Sequence, residues 1–272
     1  MIRLKVIIPI SHLFKKPTLN NIKLFDLSDT LEIKFLPEPE WLPRDKKRVF
    51  HANLGLVESG FRASFDQTLP YLEKNGIDYY GCDLGPAAEK YEGNKPIGRV
   101  LGQSEIEDRI AQNVEHVRKG FRGRLAVENY NYFPTGLYDY VCEPGFITRM
   151  TRGLDLGLVL DLAHAMVTAH NLGLELLDYL KALPLDRLTE IHVSRPKLPG
   201  SGQGGLALDS HNPPGRREYA YLYELIDKIL PRAGLPEIFF VVEYYKNSHG
   251  LYNITESAKG FCEERRPLAL LT

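Results

Sequence analysis

Short apolar, β-branched runs recur eight times along this chain, and helix-length stretches separate most of them. The runs fall at 4–10 (LKVIIPI), 31–35 (LEIKF), 49–54 (VFHANL), 79–83 (YYGCD), 124–128 (RLAVE), 156–161 (LGLVLD), 188–193 (LTEIHV) and 238–243 (IFFVVE). They are apolar on both faces, the pattern of strands covered by helices rather than half-exposed to water. A strand followed by a helix, repeated eight times, predicts a (β/α)8 TIM barrel. The 272 residues suit one barrel domain spanning 1–272. A doubly wound open sheet is the alternative, but no GxGxxG or GxxxxGK[ST] loop follows any of the runs.

Helix signals fill several gaps. Ser104 and Glu107 have the spacing of a capping box, opening a helix that stops at Gly120. Further helices are predicted over 173–183, stopping at Pro184, over 218–230, stopping at Pro231, and over 255–264. PTLNNIKLFDLSD, between the first two strands, shows little helical periodicity. The longest irregular stretch, 194–217, is rich in Gly and Pro and has the length of a lid loop.

Nearly every strand ends in a carboxylate or an imidazole: His51, Asp83, Glu128, Asp161, His192 and Glu243. His164 follows Asp161 by three residues, and Asp209 and His211 lie two apart, on one side of an extended backbone. Barrel enzymes do their chemistry at these strand ends. A single histidine of this kind is most often a core or surface residue, but nine residues aligned with strand ends form a pattern. Burying them unpaired is costly, and a cluster of cations is the simplest compensation. Mixed carboxylate and imidazole donors suit zinc, iron or manganese.

Composition narrows the class. With 43% hydrophobic and 25% charged residues the chain can bury a large core without staples. A net charge of −1 counts against a nucleic-acid or anionic-membrane enzyme, though not against a local basic patch. The apolar run in MIRLKVIIPISHLFKK is too short for a signal h-region or a membrane span. Cys82, Cys142 and Cys262 form neither a disulfide framework nor a CxxC motif, which points to reducing cytosol.

The order His51, Asp83, Glu128, Asp161-x-x-His164, His192, Asp209-x-His211, Glu243 resembles the trinuclear-site order of the xylose-isomerase-like barrel superfamily. Endonuclease IV-like enzymes share the Asp-x-x-His, the later His, the Asp-x-His and the final Glu. The wording is closer to the multinuclear nonheme iron-dependent oxidases, the family of the methanobactin-biosynthesis oxygenase. Glu128-Asn129, LVLDLAHAMVTAHNLG, YLKALPLDRLTEIH, LDSHNPP and VVEYY carry that resemblance across roughly 45–250. The chain departs from the family at two positions: Asp83 stands where a second early histidine is usual, and His164 where Asn is common.

The resemblance implies two or three irons in the barrel mouth, with Fe(II) activating O2 and an adjacent Fe(III) orienting a ribosomally made peptide. In the best-known relatives the oriented group is a cysteine thiolate. It implies Glu128, Asp161, His192 and Glu243 as catalytic residues among the nine metal ligands. A separate peptide-presenting partner protein is a further implication. Substrate contacts are expected from Asn129 and Tyr130 in the aromatic stretch 129–140, from His170 (with Asn171 as a helix cap) and from Arg195 beside the lid. His12, beyond the first strand, reads as a loop histidine within reach of the mouth, and Cys82 as an inert buried thiol. The competing readings are a zinc- or manganese-dependent phosphodiesterase of the endonuclease IV type, a sugar isomerase, and a metal-free binding scaffold.

Overall fold

In the computed structural model, residues 2–92, 95–200, 205–230, 235 and 237–264 are described. Eight parallel strands close into a barrel: β1 (Leu4–Ile10), β2 (Thr30–Ile33), β3 (Lys47–Gly55), β4 (Tyr79–Asp83), β5 (Arg124–Glu128), β6 (Gly157–Asp161), β7 (Leu188–Val193) and β8 (Ile238–Val242). Each pairs with its sequence neighbours, and β8 returns to β1 through Val6↔Phe240 and Ile7↔Val241. All eight runs read from the sequence are strands, three with the expected bounds at both ends in the middle of the barrel (79–83, 124–128 and 188–193).

Strand side chains alternate between the barrel axis and the helix layer. One set of positions turns Ile7, Val49, Tyr79, Ala126, Val159 and Val241 inward as a dry apolar plug, with Phe239 packed against it. Two residues further along several of these strands the same parity delivers His51, Glu128, Asp161 and Glu243 to the mouth. The opposite parity feeds the larger core between sheet and helices, where Phe50, Tyr80, Cys82, Val127, Leu160 and Phe240 lie.

Helices cover the outside after every strand except β2, and their ends correct several sequence expectations. The 173–183 segment is helical over Leu176–Ala182. The 218–230 segment is an α-helix over Arg216–Glu224 that loosens into one π-turn at Leu225–Ile229; its expected stop, Pro231, lies outside the described residues. The last helix starts seven residues early and spans Ser248–Glu264. The helix at Gln103–Gly120 is opened by Glu105, whose carboxylate accepts the Gly102 N–H at 3.0 Å. The expected Ser104–Glu107 box does not form, because Glu107 is drawn outward to Gln103 and Arg149. A short helix, Leu19–Leu24, forms where periodicity was weak, since the Thr18 hydroxyl caps it by accepting from Asn21 N–H.

Two antiparallel ribbons rise above the mouth. One pairs Ala88–Glu92 with Lys95–Val100; the other pairs Arg195–Lys197 with Leu208–Asn212. The second lies inside the 194–217 stretch expected to be irregular; residues 201–204 of that stretch lie outside the described residues. No described helix is long and apolar enough to cross a membrane.

Candidate metal centre

Glu128, the last residue of β5, is the hub. Its Oε2 faces His51 Nε2 at 3.1 Å and His192 Nδ1 at 3.4 Å, and its Oε1 faces His164 Nδ1 at 3.0 Å. Asp161 closes β6 and caps the next helix by accepting the His164 N–H at 2.7 Å, which sets His164 one turn above it. Glu243, just past β8, sits 3.3 Å from His192 Nδ1 through its Oε1, while its Oε2 meets His211 Nε2 at 3.1 Å. Asp209 lies 3.6 Å from His164 Nε2 and 3.3 Å from His211 Nδ1. His211 has a left-handed backbone (φ +43°), uncommon outside glycine, and this turn directs its ring back at Glu243.

All nine residues expected to bind metal therefore converge. Donor atoms of His51, Asp83 and Glu128 lie within 4.8 Å of one another, as do those of Glu128, Asp161 and His164, and those of Asp161, His192 and Glu243. Donors on one ion, with bonds of about 2.0–2.2 Å, stand roughly 3–4 Å apart. Much of this cluster lacks hydrogen-bond partners: Asp161 Oδ2, both nitrogens of His192 and His51 Nδ1 are buried with none. Such orphaned donors, in a carboxylate and imidazole set, fit metal ions.

The electrostatics agree. Burial and the nearby Glu128 charge push Asp83 up to about 7, and burial does the same to Asp161. Burial opposes ionisation of Glu128 too, yet His192 and His164 hold it well below the usual carboxylate range. Lys34 and His192 do likewise for buried Glu243.

Sequence reading missed three members of this centre. Glu32 and Glu190 are fully buried beneath the histidines, and Lys34 Nζ donates to Glu243 Oε1 at 2.5 Å. Alternation carried the signal: in LEIKF, Glu32 and Lys34 share a face, and in TEIH, Glu190 shares the face of His192. Tyr245 was missed as well; its hydroxyl donates to Glu243 Oε1 at 2.9 Å.

A cavity of about 530 Å³ opens above the cluster, lined by His12, Lys34, Asp83, Tyr130, His211, Tyr245 and others. Of the four expected substrate contacts, Tyr130 lines it, stacked on Tyr138 at 5.8 Å. Asn129 is buried instead, braced by two bonds to the Asp161 backbone at 2.8 and 3.0 Å. Arg195 is exposed on the ribbon, and His170 faces the Gly205 carbonyl at 3.4 Å. Asn171 does not cap the following helix. It sits in the last turn of the preceding one, donating to the Tyr132 and Ala207 carbonyls and accepting the Ala207 N–H.

The family model described as "RiPP precursor modification enzyme MbnB/TglH/ChrH" matches residues 100–248, more than half of the chain. The chain belongs to this family. RiPPs are ribosomally synthesised, post-translationally modified peptides, so membership bears out the resemblance read from the residue order. Among curated relatives, a UPF0276 protein of Caulobacter sp. (strain K31) is 34% identical over 132 residues, 48% of this chain and 47% of that one. One from Vibrio vulnificus (strain YJ016) is 30% identical over 115 residues, 42% of this chain and 40% of its own. The chain thus spans about half the length of the curated relatives it matches. Solved barrels similar in fold include a D-psicose 3-epimerase from Clostridium cellulolyticum H10 (TM-score 0.61, 14% identity, 96% of this chain and 98% of that one). A xylose isomerase domain containing protein from Salmonella typhimurium LT2 aligns with TM-score 0.57 at 11% identity, covering 98% and 97%. At that identity they show the (β/α)8 barrel fold and no more.

Proposed function

We propose that this protein is an iron-dependent, O2-using oxidoreductase that modifies a ribosomally made peptide. The observation that carries the reading is the convergence of nine carboxylate and imidazole residues, four of whose buried donor atoms have no hydrogen-bond partner, on the mouth of a barrel that belongs to a RiPP-modifying family. Two or three ions would be held: one by His51, Asp83 and Glu128, the others by Glu128, Asp161, His164, His192 and Glu243, with Asp209 and His211 closing the set from the ribbon. When bound, iron supplies the one-electron and O2 chemistry that the side chains lack.

The chain's own residues do the rest. Glu128 presents its two carboxylate oxygens to different histidines and would contribute donors from the middle of the set. Lys34 and Tyr245 both donate to Glu243 Oε1 and so fix which oxygen remains for His211. Tyr130 and Tyr138 form a rigid wall for a peptide, tyrosine giving contact area at low entropic cost. The ribbon carrying Asp209 serves as the lid, tied down by Asn171. A separate protein would present the peptide, and reducing cytosol would keep a thiol substrate reduced.

The test is to purify the full chain anaerobically and measure bound metal by elemental analysis and Mössbauer spectroscopy. We expect two or three irons per chain with both ferrous and ferric signals, and at least one iron fewer in Glu128→Gln. Zinc alone, accompanied by cleavage of abasic DNA, would sink the proposal.

A further inference from the structure

Glu32 and Glu190 lie outside the nine-residue set and do not line the mouth cavity, yet both are fully buried with donor atoms within 4.8 Å of those of His51 and His192, and none of their four carboxylate oxygens has a hydrogen-bond partner, Lys34 Nζ standing 3.6 Å from Glu32 Oε1. Each faces an imidazole from below. Glu32 Oε1 is 3.4 Å from His51 Nδ1 and 3.4 Å from His192 Nε2, and Glu190 Oε1 is 3.3 Å from His192 Nε2. The opposite ring nitrogens point at the mouth: His51 Nε2 at Glu128, and His192 Nδ1 at Glu128 and Glu243.

A neutral imidazole carries one N–H and one lone pair, and an ionised carboxylate can only accept. His164 shows the same device with a backbone acceptor. Its Nδ1 lies 2.9 Å from the Asn129 carbonyl oxygen and 3.0 Å from Glu128 Oε1, both acceptors, so in the neutral, metal-binding form its Nε2, facing Asp209, would keep the lone pair. Room for this arrangement is built into the sheet. A Cβ on Gly81, the residue paired with His51 across β3 and β4, would lie 2.8 Å from His51 Nδ1.

From these contacts we infer that Glu32 and Glu190 are positioning residues that fix the tautomers of the two deepest histidines, so that His51 binds metal through Nε2 and His192 through Nδ1. The inference rests on the metal-binding reading above and assigns the carboxylates beneath it. Carboxylates that hold a ligating histidine in this way typically contribute about 10–100-fold to metal affinity.

Cobalt(II) is a suitable probe, titrated into the metal-free full chain and followed by its d–d absorption. Glu190→Ala and Glu32→Ala should each weaken cobalt binding about 10–100-fold at unchanged saturating stoichiometry, with a shifted spectrum. Glu190→Gln, which keeps an acceptor oxygen, should recover part of the loss. Wild-type affinity and spectrum in both alanine variants would overturn the inference alone. So would the loss of a whole equivalent of cobalt, which would make the glutamate a ligand. Failure of the wild-type chain to bind cobalt would remove the metal reading itself. Should the variants not fold, ¹⁵N-histidine NMR of the zinc-loaded wild-type chain decides. The N–H is expected on Nδ1 of His51 and Nε2 of His192, and the reverse assignment would refute the inference.

Discussion

At the scale of single residues, the centre depends on space as much as on charge. Gly81 gives up its side chain so that the His51 ring can stand against β4. In Gly81→Ala the new methyl would meet Nδ1 at 2.8 Å, and His51, 2% exposed, would have to shift from its place against β4. Overpacking of this kind costs about 1–3 kcal/mol. We expect a lower melting temperature together with weaker metal uptake, read by calorimetry and metal titration; a drop in stability with metal affinity intact would show that the ring tolerates the displacement. The acids and histidines at strand ends were legible because each follows an apolar run. Glu32, Lys34 and Glu190 were not, because they interrupt such runs, and a charge inside a strand makes sense only when the facing strands are known. The roles expected of Asn129 and Asn171 differed for a related reason. Side-chain amides satisfy whatever backbone groups lie nearby, and here those were Asp161 in one case and the second ribbon in the other.

At the scale of elements, β-strands buried on both sides announce themselves by continuous hydrophobicity, whereas the ribbons do not. Lys95–Val100 is mostly exposed, and Leu208–Asn212 follows a Gly-rich stretch, so neither shows the alternation of a half-buried strand. The ribbon that brings Asp209 and His211 to the mouth is tied to the helix layer by two Asn171 bonds to Ala207, just before it, while a third fixes Asn171 to Tyr132. Asn171→Ala should therefore loosen that element while sparing the deeper ligands. Limited proteolysis at the exposed Leu206 should accelerate about tenfold, equivalent to roughly 1.4 kcal/mol of local opening. Metal that, on the proposed reading, is held by His51, Glu128 and His192 should stay bound. Unchanged cleavage would mean that the ribbon is anchored elsewhere.

For the whole molecule, the barrel gathers opposed charges that only bound cations or protons can reconcile. Asp83 and Asp161, raised from 3.8 to about 7, hold protons in the metal-free fold that the unfolded chain has released, so each withdraws stability as pH rises across that window. His164 and His192 are buried, which disfavours their charged forms, but Asp161 and Glu128 respectively hold them well above 6.5. Their contribution is complete below that value and fades as pH climbs through the folded-state values. Glu128 and Glu243, lowered, stay ionised throughout and add no slope near neutrality. Metal-free protein should accordingly melt at a lower temperature at about pH 8 than at about pH 6. Metal at a thousandfold excess over its dissociation constant should add about 4 kcal/mol, and more readily at the higher pH, where the ligands have shed their protons. A melting temperature that rises with pH without metal would contradict this charge assignment.

The apolar plug of Ile7, Val49, Tyr79, Ala126, Val159 and Val241 gives the barrel a floor. A vessel with a floor has one doorway, and traffic through a single doorway must queue. On the proposed reading, ions, oxidant and peptide would share the one mouth cavity above the cluster, so whatever seats last would cork the vessel, and nothing beneath it could be exchanged until it leaves. An extended peptide could not thread through such a vessel; a peptide substrate of the proposed kind would dip in an end or a tight bend and react at its tip.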